Sequence, residues 1–207
     1  MPSGVCLRDK LRLMLTPMKS RSQARATSVP LYALGAIFLV PLGIGVLLVN
    51  NSASRNDHAN QVSRDVASMY SQGVDFSNTA NQNIALNVAE GLGMNIRGGK
   101  GVLILSKIRV VHESDCLALG AANCVNKGYA VVTQRYVIGN KALRPSSFGT
   151  PTAIDSTGNV HNWGIDLSAR AEDFPANLKS GEFTYAAECY LTSQESRTGG
   201  VYSRAMF

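Results

Sequence analysis

Hydrophobic and polar positions divide the chain into an apolar block, a polar stretch with helical periodicity, and a region of short alternating runs. The apolar block, residues 30–49, reads PLYALGAIFLVPLGIGVLLV and contains no charged residue. A helix of this length extends about 30 Å, the thickness of a bilayer's hydrocarbon core. We therefore predict a transmembrane helix, kinked at Pro41, whose glycines allow close contact with another helix: Gly35, Gly43 and Gly45.

Two other interpretations of the apolar block are possible. A cleaved secretory signal has an apolar core of roughly 7–15 residues and a small-residue cleavage site. Residues 52–54 (SAS) offer an imperfect match to such a site, and the block is longer than that core. A buried helix of a soluble protein is disfavoured because no charge interrupts the run. We favour an uncleaved anchor.

The polar stretch that follows, residues 50–100, predicts two helices outside the membrane. Apolar residues recur at helical spacing in both: Val62, Val66, Met69 or Tyr70, and Val74 in the first, and Ala80, Ile84, Val88 and Leu92 in the second. Gly73 and residues 75–78 separate them, with Ser77 or Asn78 as the N-terminal cap. The first stripe is expected to pack on the protein's own sheet, with a partner helix as the alternative.

Residues 101–207 change to a β pattern. Residues 102–111 and 129–138 are β-branched and apolar, residues 183–192 alternate strictly, and residues 201–207 follow two glycines. The glycine- and proline-rich residues 140–166 predict a long excursion. Helices followed by an antiparallel sheet indicate an α+β body. We divide the chain into a leader (1–29), a membrane helix (30–49), a helical region (50–100) and a sheet domain (101–207).

The net charge of +6 is concentrated in the leader. Residues 1–29 hold six basic residues and one acidic residue, a net charge of +5, whereas positive and negative charges nearly balance after residue 50. A basic surface for nucleic acid is therefore not indicated. The positive-inside rule places the N-terminus in the cytoplasm. We predict a single-pass protein of the inner (cytoplasmic) membrane, with its body in the periplasm or outside the cell.

The cysteines agree with this topology. Cys6 lies on the predicted cytoplasmic side, and the other three lie where disulfides form. Cys116 and Cys124 bracket a short connection between two predicted strands, so a bridge between them is favoured. A bridge from either one to Cys189 is the alternative. No paired CxxC spacing suggests a zinc site.

Candidate chemistry is sparse. The histidines His58, His112 and His161 fall in separate segments without ligand spacing, and the segment 112–116 is interpreted as a polar loop. Trp163 is interpreted as a core or loop anchor. Arg135 and Glu188 are charges inside predicted strands, expected on a solvated face or as a cross-strand pair. No nucleophile, base and oxyanion site is apparent, so we predict no enzyme activity, no cofactor and no metal.

A family resemblance rests on several short motifs. The leader motif RSQA (residues 21–24), the proline-containing helix ALGAIFLVPLGIGVLLV, the segments RYVIGN and SSFGTP, and the tail GEFTYAAECYLTS with GGVYSRAMF together resemble the TadE-like pilus-assembly proteins of tight-adherence (Tad) systems. The resemblance implies a pilin-like architecture and a role as a minor pseudopilin or membrane-anchored assembly factor. It implies the membrane and other pilus or secretion-system subunits as partners. An anchored extracytoplasmic binding module is the alternative function.

The leader departs from the processed members of that family. Some are cut by a prepilin peptidase after a glycine that is followed five residues later by a glutamate. Ser22 stands in place of the glycine, and neither Thr27 nor Ser28 is a glutamate. We therefore expect an unprocessed anchor rather than a major pilus subunit.

Overall fold

The computed structural model describes residues 28–89, 92–120, 123–172, 174, 178–192 and 200–207. Within the first helix it describes the side chains of 39–42, 44 and those from 53 onward. The predicted leader therefore lies almost wholly outside the described residues. The predicted helix contacts at Gly35, Gly43 and Gly45 also lie outside the part of α1 whose surroundings are described.

Helix α1 extends over Ser28–Ser71 and includes Pro41. Four large apolar side chains in its first half are exposed by 53–71%: Leu39, Val40, Leu42 and Ile44. Among the described residues, no helix combines the length and the apolar character needed to cross a membrane. The chain divides into two compact units, Met1–Asn50 and Asn51–Phe207.

The second unit combines helices with an antiparallel sheet, which confirms the predicted α+β class. Its elements after α1 are α2 (Thr79–Val88), β1 (Met94–Asn95), β2 (Gly98–Gly99), β3 (Gly101–Val110), α3 (Glu113–Ala118), β4 (Ala130–Gly139), a 3-10 helix (Leu167–Ala169), β5 (Thr184–Thr192) and β6 (Gly200–Met206). Strands β1 and β2 form a small hairpin. The main sheet has the order β4-β3-β5-β6, and every neighbouring pair is antiparallel. Its four strands coincide within a residue or so with the predicted ones.

One face of the main sheet packs against the second half of α1 and against α2. Val62, Val66 and Tyr70 of α1 are buried in a cluster with Leu103, Leu105, Ala187, Cys189 and Leu191 of the sheet. The predicted packing of this helical stripe on the protein's own sheet is thereby confirmed. A polar contact also crosses the interface, because Ser203 Oγ donates to the Ala59 carbonyl at 2.8 Å and lies 2.9 Å from Ser63 Oγ.

The second helix begins as predicted, but some of the residues that it buries differ from the predicted ones. Asn78 caps α2, and its side chain accepts from the backbone N–H of Ala80 at 2.9 Å. The predicted apolar stripe is wrong at Ala80, which is exposed, and at Ile84, which is 47% exposed. It is correct at Leu92, which is buried just beyond the end of the helix, and Val88 packs against the core. The helix also buries Ala85, and Ala89 follows it into the core.

The long excursion between β4 and β5 covers the other face of the sheet. Phe148, Val160, Ala169 and Ala171 of the excursion are buried against Ile108, Val110, Val132 and Ala186 of the sheet. The sheet is therefore buried on both faces, which explains why most positions of β3 and β5 are buried rather than every second one.

The predicted environment of Arg135 and Glu188 is wrong. Arg135 is 6% and Glu188 2% exposed, so neither lies on a solvated face. They do not form a cross-strand pair either, because β3 lies between their strands. Both charged side chains instead form hydrogen bonds with the excursion. Arg135 donates to the carbonyls of Phe148 and Gly149, and burial lowers its pKa to about 10.

The predicted polar loop at 112–116 is also wrong, since these residues start helix α3. Asp115 accepts from the backbone N–H of His112 at 2.9 Å, a capping interaction that satisfies one of the free donors at the helix start. The short helix carries Cys116 to its buried position.

Candidate functional site

The face of β3 that packs on α1 changes character towards the end of the strand. Leu103 and Leu105 are buried under the helices, and the same alternation then places Lys107 and Arg109 on that face. A register shift between Lys107 and Ile108 gives β4 an extra residue there, Thr133. Its hydroxyl donates to the Lys107 carbonyl at 3.2 Å. The bulge thus marks the point where an apolar surface becomes cationic.

Both cations of β3 lie against aromatic rings. Lys107 Nζ is 4.1 Å from the ring centroid of Phe183, which precedes the neighbouring strand β5. The Arg109 guanidinium carbon is 5.0 Å from the Phe183 centroid and 5.3 Å from that of Trp163. These distances are within the range of cation–π attraction. The rings therefore fix the position of two positive charges at the surface.

A cleft of about 350 Å³ opens beside these groups. We call it the cation–aromatic cleft, and its lining consists of Lys107, Arg109, Thr133, Gln134, Asn159, Val160, Trp163 and Phe183. These residues come from β3, from β4, from the excursion and from the segment before β5. As far as the structure describes the surrounding residues, the lining holds two cations and no carboxylate.

The two cations differ in their ion pairing. Arg109 Nη2 donates to Asp115 Oδ1 at 2.5 Å, so its charge is balanced by the first turn of α3. Lys107 forms no ion pair within the part of the chain that the structure describes. The Lys107 ammonium is therefore the group in the cleft that is available to an anion.

Amide side chains form the polar wall of the cleft and are held by a hydrogen-bond network. Gln134 accepts from the Tyr70 hydroxyl at 2.9 Å and donates to Tyr136 and Asn159. Asn159 is exposed and donates to Thr157 Oγ1 at 2.8 Å. The wall is thus pre-organised, while its outer amide faces solvent.

The predicted cysteine pair lies close to this cleft in the fold. The Sγ atoms of Cys116 and Cys124 are 2.03 Å apart, the bonding distance of a disulfide, as the sequence favoured. Cys189, the partner in the alternative pairing, is a buried free thiol. Burial raises its pKa to about 12.

The three histidines do not come together as a site. His58 lies on α1, His112 caps α3, and His161 Nε2 is 3.3 Å from Asp155 Oδ2 in the excursion. Over the described residues, no group of three or more histidine, cysteine or acidic side chains is placed to hold a metal ion.

A larger and shallower groove of about 1380 Å³ lies between α2 and the β1–β2 hairpin. The described residues of its lining are mostly amide and apolar, with Arg97 as the charged side chain among them. It presents a broad surface without the convergence of charge and aromatic rings that marks the cation–aromatic cleft.

Sequence reasoning missed the residues of the cleft, and Trp163 was interpreted only as an anchor. Trp163 is in fact both, because it packs against two buried clusters and also lines the cleft. The sequence held one usable signal, the alternation of Lys107 and Arg109 with Ile108 and Val110. The contribution of Trp163 and Asn159 depends on the path of the excursion and has no local signal.

Comparison of the chain with models of known protein families, with curated proteins and with solved structures finds no match in any of the three.

Proposed function

We propose that the chain is a membrane-anchored, pilin-like structural or assembly subunit of a Tad-type pilus or secretion system, without a catalytic role. The supporting observation is that the two halves of α1 differ in burial. Its second half is part of the core of an α+β body, whereas large apolar side chains of its first half are exposed. Exposed apolar side chains in a continuous run are typical of surfaces that contact lipid or other subunits.

The sequence of residues 30–49 is uncharged, which supports contact of this segment with lipid. The basic leader supports an N-terminus in the cytoplasm and a body outside it. The Cys116–Cys124 disulfide agrees with that location, because disulfides persist outside the reducing cytosol. The short motifs that resemble those of TadE-like proteins support the assignment to a Tad system.

Alkaline carbonate extraction of membranes that contain the full chain tests the anchor. We expect the wild-type chain to stay in the membrane pellet. Leu42→Arg, which places a charge in the apolar block, is expected to shift a large part of the chain to the soluble fraction, because a central arginine costs about 2.5–3.5 kcal/mol of insertion free energy. Leu117→Arg is the matched control, since Leu117 is 75% exposed on the body. Quantitative release of the wild-type chain by carbonate contradicts the anchor.

Cross-linking in the native host tests the assembly role separately. We expect the chain to co-isolate with the Tad secretion machinery, and its deletion to reduce the number of surface pili. A carbonate-resistant chain that never co-isolates with that machinery, and whose deletion leaves pili unchanged, supports the anchor and contradicts the Tad assignment.

An anchored extracytoplasmic binding module is the second candidate. The observation in its favour is the cation–aromatic cleft, in which the Lys107 ammonium, aromatic rings and amides converge. A deletion that leaves pili intact but abolishes ligand binding supports this candidate over the first.

A further inference from the structure

We propose that the cation–aromatic cleft binds the carboxylate of an acidic sugar, either a free hexuronate or a hexuronate unit of an acidic polysaccharide. This inference rests on the second candidate function, to which it gives a ligand class. It does not require the chain to be a pilus subunit. Charge, polar groups, apolar surface and size each support it.

The charge of the cleft favours an anion with a single negative charge. Asp115 balances Arg109, so among the described residues the charge of the cleft without an ion-pair partner is that of Lys107. Phe183 supports the Lys107 ammonium from one side at 4.1 Å, which leaves its N–H donors for a ligand. Ammonium–carboxylate hydrogen bonds are among the stronger ones in proteins. Phosphate fits less well, because Asp115 balances the charge of Arg109 and a phosphate near neutral pH carries more than one negative charge.

The polar wall favours a ligand that carries hydroxyl groups. Asn159 uses one hydrogen of its amide on Thr157 Oγ1, and a primary amide has a second hydrogen to donate. The Thr133 hydroxyl donates to the Lys107 carbonyl and retains lone pairs that can accept. A ring of alternating hydroxyl donors and acceptors matches this wall, whereas an aliphatic or aromatic acid does not use it.

The apolar wall completes the match with a sugar ring. Trp163 and Phe183 line the cleft and are partly exposed, and aromatic surface of this kind suits the C–H face of a pyranose. The volume of about 350 Å³ is at the lower end of the roughly 300–1,000 Å³ typical of small-molecule sites, and it suits one sugar unit.

Trp163 provides the assay, because it is the single tryptophan of the chain and lines the cleft. We titrate the full chain in detergent or nanodiscs with D-galacturonate and follow the tryptophan fluorescence. We expect a saturable change, at least tenfold weaker binding of the matched neutral sugar D-galactose, and weak binding of inorganic phosphate. Trigalacturonate separates the two sources: tighter binding than the monomer indicates a polysaccharide, and equal binding indicates the free sugar acid.

Lysine variants locate the binding. Lys107→Gln is expected to weaken galacturonate binding at least tenfold, and Lys107→Arg to retain most of it. Lys141→Gln, at an exposed position outside the cleft, is the control and is expected to bind as the wild type does. An unchanged melting temperature shows that Lys107→Gln remains folded. If Lys107→Gln does not fold, the proposal is tested by the binding of Lys107→Arg and by the comparison of galacturonate with galactose.

The proposal is overturned by an absent response to galacturonate, by equal affinity for galactose or phosphate, or by unchanged binding in Lys107→Gln. Membrane extraction of the same chain reports on the anchor independently.

Discussion

The buried side chain of Glu188, on β5, binds the long excursion between β4 and β5 through hydrogen bonds. Its carboxylate accepts from the hydroxyls of Ser146, Ser147 and Tyr202 and from the backbone N–H of Ser147. The side chain is 2% exposed, so these donors replace the water that an ionised carboxylate would otherwise bind. Arg135 binds the same excursion two residues further along, through the Phe148 and Gly149 carbonyls. Two buried charges therefore define where this loop lies.

Replacement of Glu188 measures that role. We expect Glu188→Ala to lower the free energy of unfolding by about 3 kcal/mol, because it leaves several buried donors without an acceptor and Arg135 without its nearby opposite charge. Chemical unfolding followed by the fluorescence of Trp163, which lies in the same excursion, measures the change. Glu172→Ala, at an exposed position, is the matched control and should change the value by less than about 0.5 kcal/mol. Equal effects of the two substitutions would show that Glu188 is not an anchor.

The burial of these two charges could not be predicted from their strands. In a strand that alternates between two faces, a charged residue normally marks the solvated face. That inference fails for Arg135 and Glu188 because residues 146–149 cover this face, and nothing in the local pattern of either strand indicates what covers it. The same pattern correctly placed Tyr185, Ala187 and Leu191 on one face.

The thiol of Cys189 gives a second residue-level prediction. Cys189 is fully buried, and burial raises its pKa to about 12, so it carries very little reactive thiolate near neutral pH. We expect iodoacetamide at pH 8 to modify Cys189 at least a hundredfold more slowly in the folded chain than in urea. Cys116 and Cys124 should become reactive only after reduction. Mass spectrometry of the labelled peptides measures all three. A label on Cys116 or Cys124 in the unreduced chain would contradict their pairing.

At the scale of elements, the second half of α1 holds the body together. Val62 and Val66 are fully buried against the sheet, one helical turn apart. We expect Val66→Ala to lower the free energy of unfolding by about 2 kcal/mol, through lost burial and the cavity that remains. Arg64→Ala, on the exposed side of the same helix, is the matched control and should have a change near zero. Urea unfolding monitored by far-ultraviolet circular dichroism compares them. A similar loss in both variants would contradict the packing role of Val66. Helix propensity alone predicts no loss in either, because alanine is the best helix former.

The elements that the sequence predicted are those with a long regular pattern. The four main strands have such patterns, and their bounds agree with the structure within a residue or so. The two helices before and after residues 75–78 are also present, but they end at Ser71 and Val88, short of the predicted stripe residues Val74 and Leu92. The elements that it missed are short. Helix α3 has six residues, too few to show a period, and β1 and β2 have two residues each. Their existence depends on tertiary contacts, such as Asp115 with Arg109, that link residues of different elements.

At the scale of the whole molecule, the candidate site is a product of assembly rather than of any one element. Lys107 and Arg109 share one strand face, which the alternation of β3 indicates. Trp163 and Asn159 reach the cleft only because the excursion, fixed by Arg135 and Glu188, returns across the sheet. The location of the cations could thus be predicted from the sequence, whereas the other walls of the cleft could not.

The titration of the body as a whole gives a prediction for alkaline pH. Burial raises the pKa of Tyr70 and raises those of Tyr136, Tyr202 and Cys189 to about 12. The folded chain therefore keeps protons that the unfolded chain loses above pH 9–10, and the free energy of unfolding must fall as the pH rises from there towards 12. Arg135 acts in the opposite direction, because burial lowers its pKa in the folded chain to about 10, below its ordinary value. Four groups with raised pKa values oppose this one, so a net loss is expected.

Urea midpoints measured between pH 8 and pH 11.5 test this balance, with tyrosine absorbance at 295 nm recorded in parallel. We expect the midpoint to decrease steadily above pH 9, and part of the tyrosine absorbance to appear only on unfolding. Return of the samples to pH 8 should restore the original midpoint, which separates protonation from alkaline damage. Tyr136→Phe removes one of the protons retained by the folded chain and should make the decrease shallower. A midpoint that stays constant or rises up to pH 11.5 would contradict the prediction, because it would mean that the raised pKa values of the three tyrosines and Cys189 do not outweigh the lowered pKa of Arg135.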